Sequence, residues 1–281
     1  MKKILFLILI TFLLTGCASH EESSISPERK DIIIALLDTG VSTTAIKSEN
    51  LLPGWNYVTE SDDTEDRINH GTAVTSVILG CESANIIGNA PDSKIVPIVV
   101  TDKVDGEQKS IKTETLAVAV RDSVDKYGAS VINIGIGIKK DVPALKEAIE
   151  YVQKKGALVI AASGNSGSTE LYYPAAYDGV VGVGSHDKNL NISSFTQKNE
   201  TVDILAPGED IWLASRKGKT YGAKGTSYSS SYVSAAASLI WGNNPKFSAE
   251  DVINQILDTA ESVDGHLILG TSLFSENKNE N

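Results

Sequence analysis

At 281 residues, 41% of them apolar and with no repeat or low-complexity block, the chain can bury a full core in one large domain. Its formal charge of −11 argues against a nucleic-acid partner and against an electrostatic membrane patch. Two cysteines, Cys17 and Cys81, exclude a disulfide framework inside the domain.

The first residues form a separate unit. Lys2 and Lys3 precede an apolar run from Ile4 to Leu14, closed by Thr15, Gly16 and Cys17. A basic start, a short apolar stretch and small residues at its end make a secretory signal, and the run is too short for a comfortable membrane span. Leu14-Thr15-Gly16-Cys17 resembles the bacterial lipobox, which implies removal of residues 1–16, diacylation of Cys17 and anchoring on the extracytoplasmic face of the cell membrane. Two acyl chains suffice for stable anchoring. Cleavage takes away two lysines and no acid, so attachment of the more acidic product must come from the lipid. Residues 17–30 are expected to be a polar tether, 31–270 the folded domain and 271–281 a frayed polar tail. Cys81 reads as a small apolar residue.

The domain opens with Asp31 to Leu37, a continuous apolar run that fits a strand covered on both faces. It ends in Asp38-Thr39-Gly40, where open α/β sheets place their sites; a turn-forming Asp before Gly fits the same residues. Asn69 to Leu79 predicts a helix too apolar for the surface, with His70 at its entrance, where a histidine can equally be structural. A strand over Ile95 to Val100 leads to a polar loop around Val104-Asp105-Gly106-Glu107. A helix over about 113–126 precedes the strand Val131 to Ile134, which ends in the exposed backbone edge Gly135-Ile136-Gly137. A helix from Pro143 to Lys155 leads to the strand Leu158 to Ala162, followed by Ser163-Gly164-Asn165. Short strands over 180–184 and 202–206 come next, the second closed by Pro207-Gly208.

From Gly225 to Ile240 a loop turns into a tightly packed helix, with Ser227 in its first turn. Unpaired N–H groups and the positive end of the helix dipole suit that position to a helix cap or to holding negative charge. Ser248 with Asp251 reads as a variant capping box for a helix reaching about Thr259. Strand and helix alternate, which predicts an α/β fold with a mostly parallel central sheet and helices on both faces.

Asp38, His70, Asn165 and Ser227 each lie at the end of a strand or the start of a helix. In a parallel sheet those ends share one face, so the four can converge. Acyl transfer needs such a set: a serine made nucleophilic by a base, a carboxylate that orients the base, and donors for the oxyanion. Asp38-Thr39-Gly40, His70-Gly71-Thr72, Ala162-Ser163-Gly164-Asn165 and Gly225-Thr226-Ser227, supported by Ala206-Pro207-Gly208, together resemble the subtilisin-like serine proteases from Asp31 to Gly265. The resemblance implies their three-layer fold and an endopeptidase in which Ser227 attacks, His70 is base and then acid, and Asp38 orients His70. Asn165 and the Ser227 backbone N–H would form the oxyanion hole. Gly135-Ile136-Gly137 and Ala162-Ser163-Gly164 would hold an extended peptide or protein substrate. A catalytically idle lipoprotein that uses the cleft to bind peptides is the alternative from another class, and an esterase would share the triad logic.

Departures from the family pattern carry further expectations. Gly135 stands for the usual serine and should leave space there. Tyr228 replaces the usual Met beside the nucleophile, and Ser231 and Tyr232 replace the usual Pro and His. Tyr172 falls where the family often has a small residue at the floor of the P1 pocket, so a restricted pocket is expected. Gly80 to Asn89 lacks the asparagine-rich calcium loop of many secreted members and offers only Glu82, so no metal or other cofactor is expected. Only Ala18 to Lys30 stands where family members usually carry an inhibitory propeptide, which suggests limited processing of exported peptides or proteins.

Overall fold

The structure is a computed structural model and describes residues 31–47 and 49–274. Cys17, the expected signal and tether before residue 31, and residues 275–281 lie outside them. Strand β1 (Ile33–Asp38) shows how the sequence builds the sheet. Ile34 and Leu36 enter one hydrophobic core, Ala35 and Leu37 the other, as a side-chain period of two requires. Eight more strands complete the sheet: β2 (Trp55–Asn56), β3 (Lys94–Val99), β4 (Val131–Ile134), β5 (Leu158–Ala162), β6 (Val181–His186), β7 (Ile204–Pro207), β8 (Glu261–Val263) and β9 (His266–Ile268). Their order is β8-β9-β7-β6-β5-β4-β1-β3-β2. All neighbours run parallel except the terminal pair β8 and β9.

Helices cover both faces. On one lie α1 (His70–Leu79), α4 (Thr226–Asn243) and α5 (Ala249–Asp258); on the other lie α2 (Thr113–Asp125) and α3 (Pro143–Lys154). α3 buries Leu145, Ala148, Ile149 and Val152, the stripe of an amphipathic surface helix. α4 is buried nearly all round; the hydroxyls of Ser230, Ser231, Ser234 and Ser238 find partners inside the core, whereas Ser229 Oγ is buried without one. Asn133 Nδ2 on β4 donates to Ser234 Oγ at 2.7 Å, and Ser93 and Ser238 share a 2.6 Å bond. The capping box of α5 is present: Asp251 N–H donates to Ser248 Oγ, and Ser248 N–H to the Asp251 carboxylate.

Three expectations change. The polar loop at 104–107 is the tip of a hairpin, Thr101–Val104 against Glu107–Ser110. Asp105 and Gly106 both take positive φ there, the backbone that a two-residue hairpin turn needs. Two further hairpins, Ile211–Ala214 with Thr220–Ala223 and β8 with β9, occupy stretches to which the sequence assigns no element. The first four residues of the expected tail are structured: Thr271–Phe274 forms a 3-10 turn, and Phe274 packs edge-on to Tyr232 with ring centroids 6.4 Å apart.

The strand order reverses at β1, with β3 on one side and β4 on the other. The crevice outside the carboxyl ends of such strands is where a doubly wound sheet binds its ligands.

Candidate active site

Asp38 ends β1 and is fully buried. Its Oδ1 accepts the Thr39 N–H at 2.7 Å and lies 2.7 Å from His70 Nδ1. His70 is the first residue of α1, and what brings it to Asp38 is glycine. A side chain on Gly71 would meet the Gly40 carbonyl oxygen at 2.1 Å, so the first turn of α1 can press against the turn after β1 only without one. That turn also satisfies the helix start, since the Gly71 N–H donates to Thr39 Oγ1 at 2.8 Å.

The remaining anchor is Asp66, which the sequence reading passed over. It is buried and accepts from the backbone N–H groups of Ile68, Asn69 and Thr72 and from the hydroxyls of Thr39 and Thr72. Its stretch also holds Asp62, Asp63 and Glu65, and nothing in the letters says which acid turns inward. An Asp66→Ala variant strands five donors, and we expect it to lose about 3–5 kcal/mol of stability. Urea unfolding followed by circular dichroism measures this; a change below about 1 kcal/mol would contradict the role.

His70 Nε2 lies 2.8 Å from Ser227 Oγ. The cap reading of Ser227 is corrected here: Gly225 is the N-cap of α4, no side chain caps it, and the Ser227 hydroxyl faces His70 instead. Asn165 Oδ1 accepts both the Thr226 N–H at 2.9 Å and the Thr226 hydroxyl at 3.0 Å. Those bonds fix which way the amide points. A methyl on Gly225 would lie 3.6 Å from Asn165 Nδ2 and 3.5 Å from Ser227 Oγ, so the two polar atoms border one small volume. As the second residue of α4, Ser227 also offers a backbone N–H without an intrahelical acceptor.

Burial disfavours a charged His70, but the Asp38 carboxylate, through its charge and its hydrogen bond, and then Asp66, outweigh burial and hold its pKa above the ordinary histidine value. A base must be neutral to accept a proton, so lowering the pH through that raised value switches it off. We expect the acid limb of kcat/KM to fall tenfold per pH unit, with its midpoint above the ordinary histidine range. A midpoint at or below that range in a pH profile would be inconsistent with the Asp38 contact.

Gly135 follows β4 and brings the largest surprise of the cleft. The expected free space is absent: a Cβ there would stand 2.6 Å from Asp38 Oδ2. That oxygen is itself buried without a hydrogen-bond partner. Gly135-Ile136-Gly137 line a cavity of about 460 Å³ together with Thr39, His70 and Ile111. Ala162 and Ser163 have buried side chains, so the surface beside Asn165 is made by Gly164 instead. A larger cavity, about 670 Å³, opens at the far end of α1 and reaches none of the four residues. Cys81 borders it with a buried thiol that donates to the Ala45 carbonyl.

Tyr172 fills the space between the two glycine segments. Methyl groups on Gly164 and Gly137 would lie 2.8 Å and 3.2 Å from its ring. Tyr172→Ala should therefore enlarge the room for a substrate side chain and raise kcat/KM for leucine over alanine at P1 by roughly tenfold or more. A P1-varied peptide series measures the ratio, and an unchanged one would place the pocket elsewhere.

A model of the subtilase family matches residues 29–279, and a model of the prokaryotic membrane lipoprotein lipid attachment site matches residues 1–18. Subtilisin Savinase of Lederbergia lenta is 32% identical over 244 residues, covering 86% of this chain and 88% of its own. Among solved structures, a mutant of the protease domain of PatA is 26% identical with a TM-score of 0.75, over 92% of this chain and 99% of that one. The prenylagaramide maturation protease PagA is 28% identical with a TM-score of 0.70, over 85% of this chain and 87% of that one.

Proposed function

The chain belongs to the subtilase family and is a serine endopeptidase, exported and membrane-anchored, and from that premise we propose that Asp38, His70, Ser227 and Asn165 carry the hydrolysis. The observation that supports this most is the imidazole of His70, which spans Asp38 at 2.7 Å and Ser227 at 2.8 Å. Ser227 Oγ attacks the peptide carbonyl carbon while its proton passes to His70 Nε2; Asp38 holds the Nδ1 proton and stabilises the imidazolium. The carbonyl oxygen, now negative, takes hydrogen bonds from Asn165 Nδ2 and the Ser227 N–H. The C–N bond breaks as His70 returns the proton to the leaving amine. Water then attacks the acyl-enzyme by the same route, freeing the acid and restoring Ser227.

Its work, on this reading, is limited processing of exported peptides or proteins. The membrane anchor confines it to substrates that reach the bilayer, and Tyr172 narrows what can sit beside Ser227. Similarity to a maturation protease points the same way. A fluorophosphonate probe should label the wild type at Ser227 and fail to label Ser227→Ala; absence of labelling in folded wild type would favour the idle peptide-binding alternative. Mass spectrometry of cut sites in a proteome-derived peptide library should then give few, similar sites, and indiscriminate cutting would sink the processing role.

A further inference from the structure

The hairpin of Ile211–Ala214 with Thr220–Ala223 runs straight into the nucleophile segment, with Lys224 alone between it and Gly225. Ile211 and Leu213 bury one face, so the period of two turns Trp212 outward. Trp212 is 70% exposed and lies opposite Gly222. Trp212, Gly222, Lys224, Lys188 and Asp210 line a groove of about 620 Å³. Lys224 Nζ stands 5.6 Å from the centre of the Phe195 ring, within reach of a cation–π attraction that holds it over that side of the site.

The two flanks of Asn165 differ. Gly164 before it packs on Tyr172, whereas Gly167 after it donates its N–H to the Phe195 carbonyl at 2.7 Å. An acyl half laid along Gly135-Ile136-Gly137 and Tyr172 puts the leaving half on the Phe195 and Lys224 side. Among the described residues neither Lys188 nor Lys224 has a carboxylate at ion-pair distance. Asp210 is the one acid lining the groove, and Asp187 beside Lys188 is engaged by Asn189 and Asn191. Two lysines against one aspartate leave the groove lining with a net positive charge, in a chain whose formal charge is −11.

We propose that this groove is a subsite for carboxylates in the leaving peptide, with Lys224 and Lys188 as its charges and Trp212 as its wall. The subsite rests on the acyl-transfer reading of Ser227. It recognises an Asp or Glu side chain, or a C-terminal carboxylate, a few residues past the scissile bond.

Quenched fluorescent peptides sharing one acyl half, taken from a mapped cut site, test this. One carries Gln and one Glu in the second and third leaving positions, both amidated at the C-terminus; a third carries Gln with a free C-terminus. We expect kcat/KM to favour the Glu peptide or the free carboxylate by about fivefold, the upper end for one exposed ion pair, and the preference to shrink with salt. Which of the two peptides gains tells side chain from terminus. Lys224→Gln should bring the ratio near one and Lys224→Glu below one, with Lys188→Glu acting in the same direction. Because the readout is a ratio within each variant, partial loss of activity does not blur it. Equal cleavage of all three peptides, or a preference that survives Lys224→Glu, overturns the subsite and leaves the protease reading standing. No cleavage and no fluorophosphonate labelling overturns both.

Discussion

A Ser227→Ala variant is expected to keep its fold and to hydrolyse peptides roughly 10⁶-fold more slowly, the loss found when the nucleophile is removed from a subtilisin. The hydroxyl is bonded to His70, whereas the hydroxyls of Ser230 and Ser231 are bonded to the Ser227 carbonyl, which the substitution keeps. Little stability is therefore at stake. Asn165 and the backbone N–H at position 227 stay in place, so a remnant of oxyanion stabilisation should persist, roughly 10³–10⁴ above the uncatalysed rate. Removing His70 as well should cost almost nothing more, because base and nucleophile act as a unit. Single-turnover kinetics on the purified variants decides this, with a loss below roughly 10³-fold incompatible with covalent catalysis at Ser227.

Asp38→Asn should lower kcat by about 10⁴-fold, and the surroundings of Asp38 say why neither amide orientation can rescue it. With the amide oxygen kept at the Oδ1 position, the Thr39 N–H and His70 Nδ1 retain an acceptor. The NH₂ group then sits where Oδ2 has no partner, and the charge that stabilises an imidazolium is gone. With the amide flipped, the NH₂ faces the Thr39 donor and forces His70 into the tautomer that carries its proton on Nε2, where it cannot accept one from Ser227. The variant also loses the main cause that raises His70, so its acid limb should move to lower pH. A pH profile of kcat/KM reads both effects, and an acid limb left in place would contradict the account.

Much of this site was legible because its residues sit where regular structure ends. The run before Asp38, the small residues after His70 and those after Ser227 each announce a buried element, and parallel strands set their carboxyl ends on one face. What stayed hidden depends on contacts between distant segments. Asp66 is one of several acids in a polar stretch, selected by where Thr39 and Thr72 come to rest. The space imagined at Gly135 is taken by a carboxylate from the neighbouring strand. The hairpins are a different case: Asp105-Gly106 and Asp264-Gly265 are both two-residue turn signals flanked by strand residues. Local chemistry was enough to find them, yet short polar strands with little apolar alternation read as loops.

Asp38 and His70 are 32 residues apart in the chain, and His70 and Ser227 are 157 apart. Contacts that span so much chain form late, because the entropy of closing the loop must be met before they return anything. The segment bearing Ser227 lies on a helix that packs against β4, β5, β6 and β7, so it has no seat until those strands have paired. On refolding, peptide cleavage should accordingly return with the last phase and lag the recovery of sheet signal. On that order of events, a newly exported chain would acquire its cleaving activity only once the sheet beneath α4 is complete.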